Sequence, residues 1–550
     1  MPTETSGASR VAAGILASRI AGFLRERAMA HYFGVGPHAD VFRTALRGPN
    51  LLQNLLGEGT LSASFIPIYS RLLAEGKRED AGRFAGAMFG LLLAAAGGLA
   101  LLGVLFAQPI VTVLTPGFLA DAKNGAAIDR FPLAVAAVRW IFPMTGILVL
   151  SAWALGVLNS HRRFFLAYFA PVLWNVAIIG ALWWAGHHGG PGAAAAVPLD
   201  RLLQAACAGA LLGGFLQFAI QMPLVLRLMR GFRVSWSLAV GGVRPALRAL
   251  WPAMAGRGAV QAAAYLDQFL ASFLVPGAVG ALGYAFTLYA LPAALFGTSV
   301  AVAELPELSS AKLGPEHSEL VERRLSLSLQ SVGFMNIAAS FAYAGFGLLV
   351  VGALYRTGSF NAADGWLTYL VLAGFTVGLA PGGCSRLLQN AFYSFGDTRT
   401  PARIAVLRVG LSALLGVPAM LLLDRVALAD WVGQPSTLRL GAAGLSLATG
   451  LAAWVELFQL DRRLRQRLPG FHLPLAGFGR MILAAAGAGA PAALAWWLVR
   501  ALHPVVAAAA VLGVFGGSYL GLASVFGVQA AKGWLERLRT LGRRGRRIPL

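Results

Sequence analysis

The chain has 550 residues, of which 57% are hydrophobic and 12% charged, with 45 Lys and Arg against 23 Asp and Glu. Soluble domains carry about 25% charged residues, so this composition excludes a soluble globular protein, and the ~10-residue alternation of a membrane β-barrel is absent. What remains is an all-α polytopic membrane protein; a net charge of +22 would raise nucleic-acid binding in a soluble chain, but here its distribution reads as membrane topology, with no nucleic-acid partner.

Fourteen transmembrane helices are predicted, near 9–33, 39–75, 79–113, 127–158, 163–186, 198–228, 241–274, 279–309, 316–353, 362–393, 400–423, 437–465, 473–501 and 502–530. The first holds Arg25-Glu26-Arg27 about midway, with Ser18 on the face of Arg25 and Arg19 on that of Glu26. Ionisable groups at bilayer depth cost about 2.5–3.5 kcal/mol each on insertion scales, so these face a watery cavity or one another. Arginine's planar fork donates paired hydrogen bonds to phosphate oxygens, which makes Arg19 and Arg25 candidate anion ligands. The competing reading is internal pairing among Arg25, Glu26, Arg27 and Asp40.

At 100° per residue, Asp40, Arg43, Arg47, Asn54 and Glu58 of the second span fall on one stripe. Pro49 lies within it and cannot donate its amide to the carbonyl of Ala45, which predicts a kink there. A kinked helix with one polar face suits the wall of a cavity that opens and closes. Asp40 taken alone also fits a cap on its own helix after Gly36-Pro37.

The seventh span carries Arg257, Tyr265 and Asp267, with Arg257 about eight residues in from Ala249; the eighth is broken at Pro292 and has no charge before Glu304. Gly34 and Pro49 recur as Gly277 and Pro292 at the same offset of 243 residues, and the basic turn 159–163 is echoed at 396–399. The chain thus reads as six spans plus six plus two: an N-lobe at 1–236, a C-lobe at 237–470, and two further helices with a basic tail at 471–550. Pro49 and Pro292 are the candidate hinges. Basic residues crowd alternate loops, as at Arg162-Arg163 and at Arg227, Arg230 and Arg233. The positive-inside rule then places both termini in the cytoplasm, and MPTETSGASR lacks the charged and apolar regions of a signal peptide.

Enzyme signals are weak. His187-His188 has no acidic or cysteine partner at metal spacing, so neither a metal site nor a cofactor is expected. No P-loop occurs, and Cys207 and Cys384 read as small buried hydrophobes. A polyprenyl-phosphate glycosyltransferase would need a large acidic external loop that this chain lacks. A drug/cation antiporter would want acidic cavity residues, whereas these are arginines.

The stretch SRIAGFLRERAMAHYFGVGPHADVFRTALRGPNLLQNLLGEG, from Ser18, resembles the N-terminal signature of the MurJ (MviN) lipid II flippase family, in the multidrug/oligosaccharidyl-lipid/polysaccharide exporter superfamily. AFYSFGDTRTPARIAV, from Ala391 to Val406, is similar to the family's turn before its eleventh helix. The resemblance implies two six-helix lobes working by alternating access in the bacterial inner membrane. It implies a cargo of undecaprenyl-diphosphate-linked peptidoglycan precursor, with other cell-wall synthesis proteins as partners and the lipid tail along the last two helices. Another polyprenyl-diphosphate-linked oligosaccharide is the alternative cargo. Family cavity arginines match Arg19 and Arg25, and a family aspartate matches Asp40. The chain departs from the pattern at Gln53 and Asn54, where arginine is usual, and at Phe286, Thr287 and Ala290, which replace charged residues. Arg47 and Arg257 are expected to restore part of that charge. Ser18, Asn54, Glu58 and Asp267 are expected to support the cavity.

Overall fold

The computed structural model describes residues 4–57, 61, 64–188, 197–292, 315–433 and 435–535; within these the side chains of 4–13, 251–253, 255–264, 315–318, 320 and 431 are not described. Glu58 and Glu304 therefore lie outside the described residues, as does the side chain of Arg257. The described backbone is helical, with a single isolated β-bridge between Ala427 and Arg439. The helices are α1 Glu4–Phe33, α2 Pro37–Leu56, α3 Ile66–Ala74, α4 Arg78–Leu105, α5 Ala107–Leu114, α6 Arg130–Ser160, α7 Phe164–His188, α8 Leu199–Leu228, α9 Val243–Ala271 and α10 Ala278–Pro292. They continue as α11 Pro315–Tyr355, α12 Ala362–Thr376, α13 Leu379–Ser394, α14 Arg399–Leu423, α15 Ala429–Val432, α16 Gly441–Arg465, α17 Leu475–Val499 and α18 Pro504–Val525.

Each of the fourteen predicted spans contains at least one of these helices. Among the described residues, nine helices are long and apolar enough to cross a membrane by themselves, and α12 with α13, bent by 41°, forms a tenth candidate. Helices are what such a chain must form, because hydrocarbon offers no partner to a backbone N–H or C=O and an α-helix satisfies them internally. α2 runs on through Pro49, and Pro292 is the last described residue of α10. Gly34 and Gly277 both have positive φ, as do Arg162 and Gly396 in the two basic turns.

The chain divides into two compact units, residues 1–280 with 357–360, and residues 281–356 with 361–550. In the first, α7 packs on α8 and α1, and α6 packs on α2, α4 and α8. Its apolar core stacks Phe65 between Tyr69 and Phe84, with Trp153 against Phe89. Gly82, Gly86 and Gly90 lie one turn apart on α4 and leave no room for a Cβ, because the backbone of 230–235 runs directly over them. In the second unit the 41-residue α11 is the spine. α12, α13, α17 and α18 all pack on it, and α16 packs on α14. Phe334 stacks on Tyr519 at 4.8 Å, and the Tyr519 hydroxyl donates to the Phe334 carbonyl at 2.8 Å. That bond gives the one polar atom of the ring a partner where water is absent.

Candidate functional site

The polar residues of α1 and α2 are gathered into two clusters of opposite character. The first is centred on Glu26, which is buried on α1. Its carboxylate accepts from Arg25 at 2.7 Å through one oxygen and from Arg43 of α2 through the other. One carboxylate thus serves two guanidinium groups, one from each helix. The Arg25 guanidinium lies 4.7 Å from the centre of the Trp174 ring on α7, an arrangement in which the negative face of the ring attracts the cation. Its Nε is sealed from solvent and has no hydrogen-bond partner. Nearby on α7, Asn175 gives its amide N–H to the Pro171 carbonyl, and its side-chain oxygen is likewise sealed and unpartnered. A buried polar atom without a partner costs about 1–3 kcal/mol, so this seam holds one donor and one acceptor to spare. Arg19 is exposed and Ser18 half-buried further along α1. The internal-pairing reading holds for Arg25 and Glu26, with Arg43 as the second partner; Asp40 takes no part in it.

Asp40 belongs to the second cluster, which is sealed. It is fully buried, and one of its oxygens accepts from the Arg130 guanidinium at 2.9 Å and from the Gly277 N–H at 2.7 Å. The other accepts from the Gly280 N–H at 2.7 Å. Arg130, the first residue of α6, holds Asp121 in a bidentate grip at 2.6 and 2.8 Å and reaches the Leu274 carbonyl at 3.2 Å. Asp40 does cap a helix, but the helix is α10, whose first amides have no intrahelical acceptor. Its own helix begins after Gly36 with no side-chain cap. Buried, and with both oxygens engaged by protein donors, Asp40 ties α2 to Arg130 and to the start of α10. The sequence reading misses Arg130 because it stands at a predicted helix start; the available signal is a lone arginine flanked by Asp121 and Asp129.

The sequence places Arg47 with the α1 arginines. In the structure its guanidinium lies 5.2 Å from the Tyr265 ring centre on α9, and the Tyr265 hydroxyl donates to the Arg47 carbonyl at 3.2 Å. Beside this contact is a cavity of about 290 Å3, lined by Arg47, Val113, Leu114, Tyr265, Leu266, Gln268 and Phe269 and by no residue of α1. Asp267 is half-buried on α9 and Asn54 is exposed on α2. Arg257 lies within α9.

The second unit holds an ionic group that sequence reasoning overlooks. Glu456 of α16 is buried and accepts from Arg408 of α14 at 2.7 Å and from Gln389 of α13 at 2.9 Å. Of the positions where family charges are lost, Phe286 is exposed and the Thr287 hydroxyl turns back to the Gly283 carbonyl at 3.0 Å.

The profile of the family described as Lipid II flippase MurJ matches residues 29–515. The chain belongs to this family. The match begins after Arg19 and Arg25 and includes Asp40, Arg47, Arg257 and both candidate hinges. Among curated relatives, the probable lipid II flippase MurJ of Rhizobium tropici is 31% identical over 462 residues, covering 83% of this chain and 80% of the relative. The lipid II flippase MurJ of Burkholderia cenocepacia is 29% identical over 531 residues, covering 94% and 96%. In fold, the chain is similar to a solved lipid II flippase MurJ in an inward closed conformation, with a TM-score of 0.71 at 20% identity, over 94% of this chain and 98% of that one. It is also similar to an inward-facing multidrug resistance MATE family transporter of the MOP superfamily, with a TM-score of 0.62 at 16% identity, over 82% and 94%. The fold is thus that of a multi-pass membrane transporter.

Proposed function

We propose that this chain is a lipid II flippase, moving the undecaprenyl-diphosphate-linked peptidoglycan precursor from the inner to the outer leaflet of a bacterial inner membrane. The observation that carries this reading is the family match across residues 29–515. The physical chemistry of the Glu26 cluster supports it. A diphosphate needs cations at bilayer depth, and two arginines, Arg25 and Arg43, converge on the one carboxylate of Glu26. Arg25 also has an unused donor, and Asn175 an unused acceptor, within the same seam. Arg19 and Arg25 are the head-group ligands in this reading, with Arg257 as a third cation and Ser18 and Asp267 in support. The polyprenyl tail stays in lipid along α17 and α18.

No covalent bond is made or broken, so the chain acts as a transporter, not an enzyme. Alternating access of two six-helix lobes, 1–236 and 237–470, carries the head across, with Pro49 and Pro292 as hinges and both termini in the cytoplasm. A ligand drives such a change only by binding the two states with different affinity. Depleting a host of its own lipid II flippase while expressing this chain tests the proposal. Restored growth with lipid II at the outer leaflet is the expected result; correct insertion without lipid II export would overturn it.

A further inference from the structure

The cavity beside Arg47 is not accounted for by cargo transfer. Its walls are Val113 and Leu114 of α5 and Leu266 and Phe269 of α9, all apolar, with Arg47 of α2 as the one charged group among the described residues. Among the described residues Arg47 makes a ring contact with Tyr265 and no ion pair. Among the described residues, Arg43 and Asp267 are charged groups near enough to act on it, one of like and one of opposite sign. A cation in such surroundings favours an anion with an apolar body.

A second polar feature lines the same cavity. Gln268 is buried and gives its amide N–H to the Thr44 hydroxyl at 3.1 Å, while its side-chain oxygen is sealed and has no partner. Whichever way the amide is turned, one of its two polar atoms is left over. A spare oxygen wants a hydroxyl donor, and a spare N–H wants a phosphate oxygen. α5 ends at Leu114 and α9 at Ala271, so the apolar walls belong to the last turns of their helices. A volume of about 290 Å3 is at the lower end for ligand pockets, which start near 300 Å3. It suits a head group and the first carbons of a chain, the remainder staying in the bilayer.

We propose that this pocket binds a membrane phospholipid with an anionic, hydroxyl-bearing head group of the phosphoglycerol class. Its phosphate pairs with Arg47, its glycerol hydroxyl or a phosphate oxygen meets Gln268, and its chain lies on Val113, Leu114, Leu266 and Phe269. The lipid spans α2, α5 and α9 and fills the gap beside the Tyr265–Arg47 and Gln268–Thr44 bonds. This site is distinct from the Glu26 cluster, and its test does not depend on transport.

The experiment uses the full chain in nanodiscs containing a trace of phosphatidylglycerol with a diazirine on its acyl chain. Illumination followed by peptide mapping is expected to label segments 110–116 and 264–270, with phosphatidylglycerol competing about tenfold better than phosphatidylethanolamine. Arg47→Gln is expected to lower labelling of these segments about tenfold, and Leu266→Trp to abolish it by filling the cavity. Equal competition by the two lipids, or undiminished labelling in both variants, would overturn the proposal. Displacement by undecaprenyl diphosphate in preference to phosphatidylglycerol would assign the pocket to the cargo and also overturn it. Should either variant fail to elute as a folded species, the other variant and the competition on the unaltered chain decide the matter.

Discussion

Two ionic clusters share α2, and they differ in what they leave unsatisfied. Around Asp40, two carboxylates, one guanidinium and the first amides of α10 are sealed together, and Asp40 and Arg130 have no measurable exposure beyond 1%. Around Glu26, one carboxylate divides itself between two arginines, the Arg25 side chain retains 17% exposure, and one of its donors has no partner. Charge inside a membrane protein therefore does not by itself mark a ligand site. The distinguishing feature is the polar capacity left over once the protein's own groups are paired.

The largest expected effect tests the sealed cluster. Arg130→Leu leaves Asp40 and Asp121 buried without their cation, and losing one partner of a buried pair costs about 3–5 kcal/mol. The variant is expected to fall in thermal stability and in membrane yield, whatever the cargo. Asp40→Asn keeps an acceptor for the α10 amides, so its loss is expected to be smaller, about 1–3 kcal/mol. Equal stability of Arg130→Leu and the unaltered chain would break the comparison.

Arg25→Gln is the converse. Glu26 keeps Arg43, so the fold is expected to hold while transport falls about 10- to 100-fold, the worth of a charge-assisted hydrogen bond. A transport assay beside a thermal melt separates the two outcomes; loss of stability equal to that of Arg130→Leu would make both clusters structural. Trp174→Leu removes the ring beneath Arg25 and is expected to weaken cargo binding by about 0.5–2 kcal/mol, read as a raised half-saturation concentration.

Much of this fold is legible in the amino-acid sequence. Hydropathy located the segments that carry the long helices, because a chain in hydrocarbon has few alternatives, and missed the four-residue α15. The i+3 and i+7 spacing put Arg43 and Arg47 on one stripe with Asp40. Periodicity, however, reports faces and not partners. It could not show that Asp40 turns to α10 and Arg130, contacts 90 and 237 residues away. Nor could it show that Arg47 meets Tyr265 at a separation of 218. Glu456 was invisible for the same reason, since its partners sit on two other helices.

The smallest effect lies outside the membrane and sets the floor of the scale. Asp397, in the turn before α14, accepts from the Thr400 N–H and hydroxyl and pairs with Arg467 at 2.6 Å. These bonds, the Thr400 N–H first, hold its carboxyl below the ordinary value of 3.8. A depressed carboxyl stabilises the fold above its unfolded pKa and loses that contribution as pH falls through the folded one. Asp397→Asn is therefore expected to cost about 0.2–1 kcal/mol at neutral pH, and the difference from the unaltered chain should vanish once acidification has passed through the lowered pKa of Asp397. A difference that persisted in acid would assign the effect to hydrogen bonding alone.

The most direct measurement is made with the purified chain in liposomes carrying fluorescent lipid II in the inner leaflet. The account predicts that label becomes accessible to an external quencher or a membrane-impermeant enzyme, that protein-free vesicles show no such change, and that Arg25→Gln vesicles respond 10- to 100-fold more slowly. Exposure of label at the same rate with and without the protein, in vesicles where the chain is inserted and folded, would contradict it.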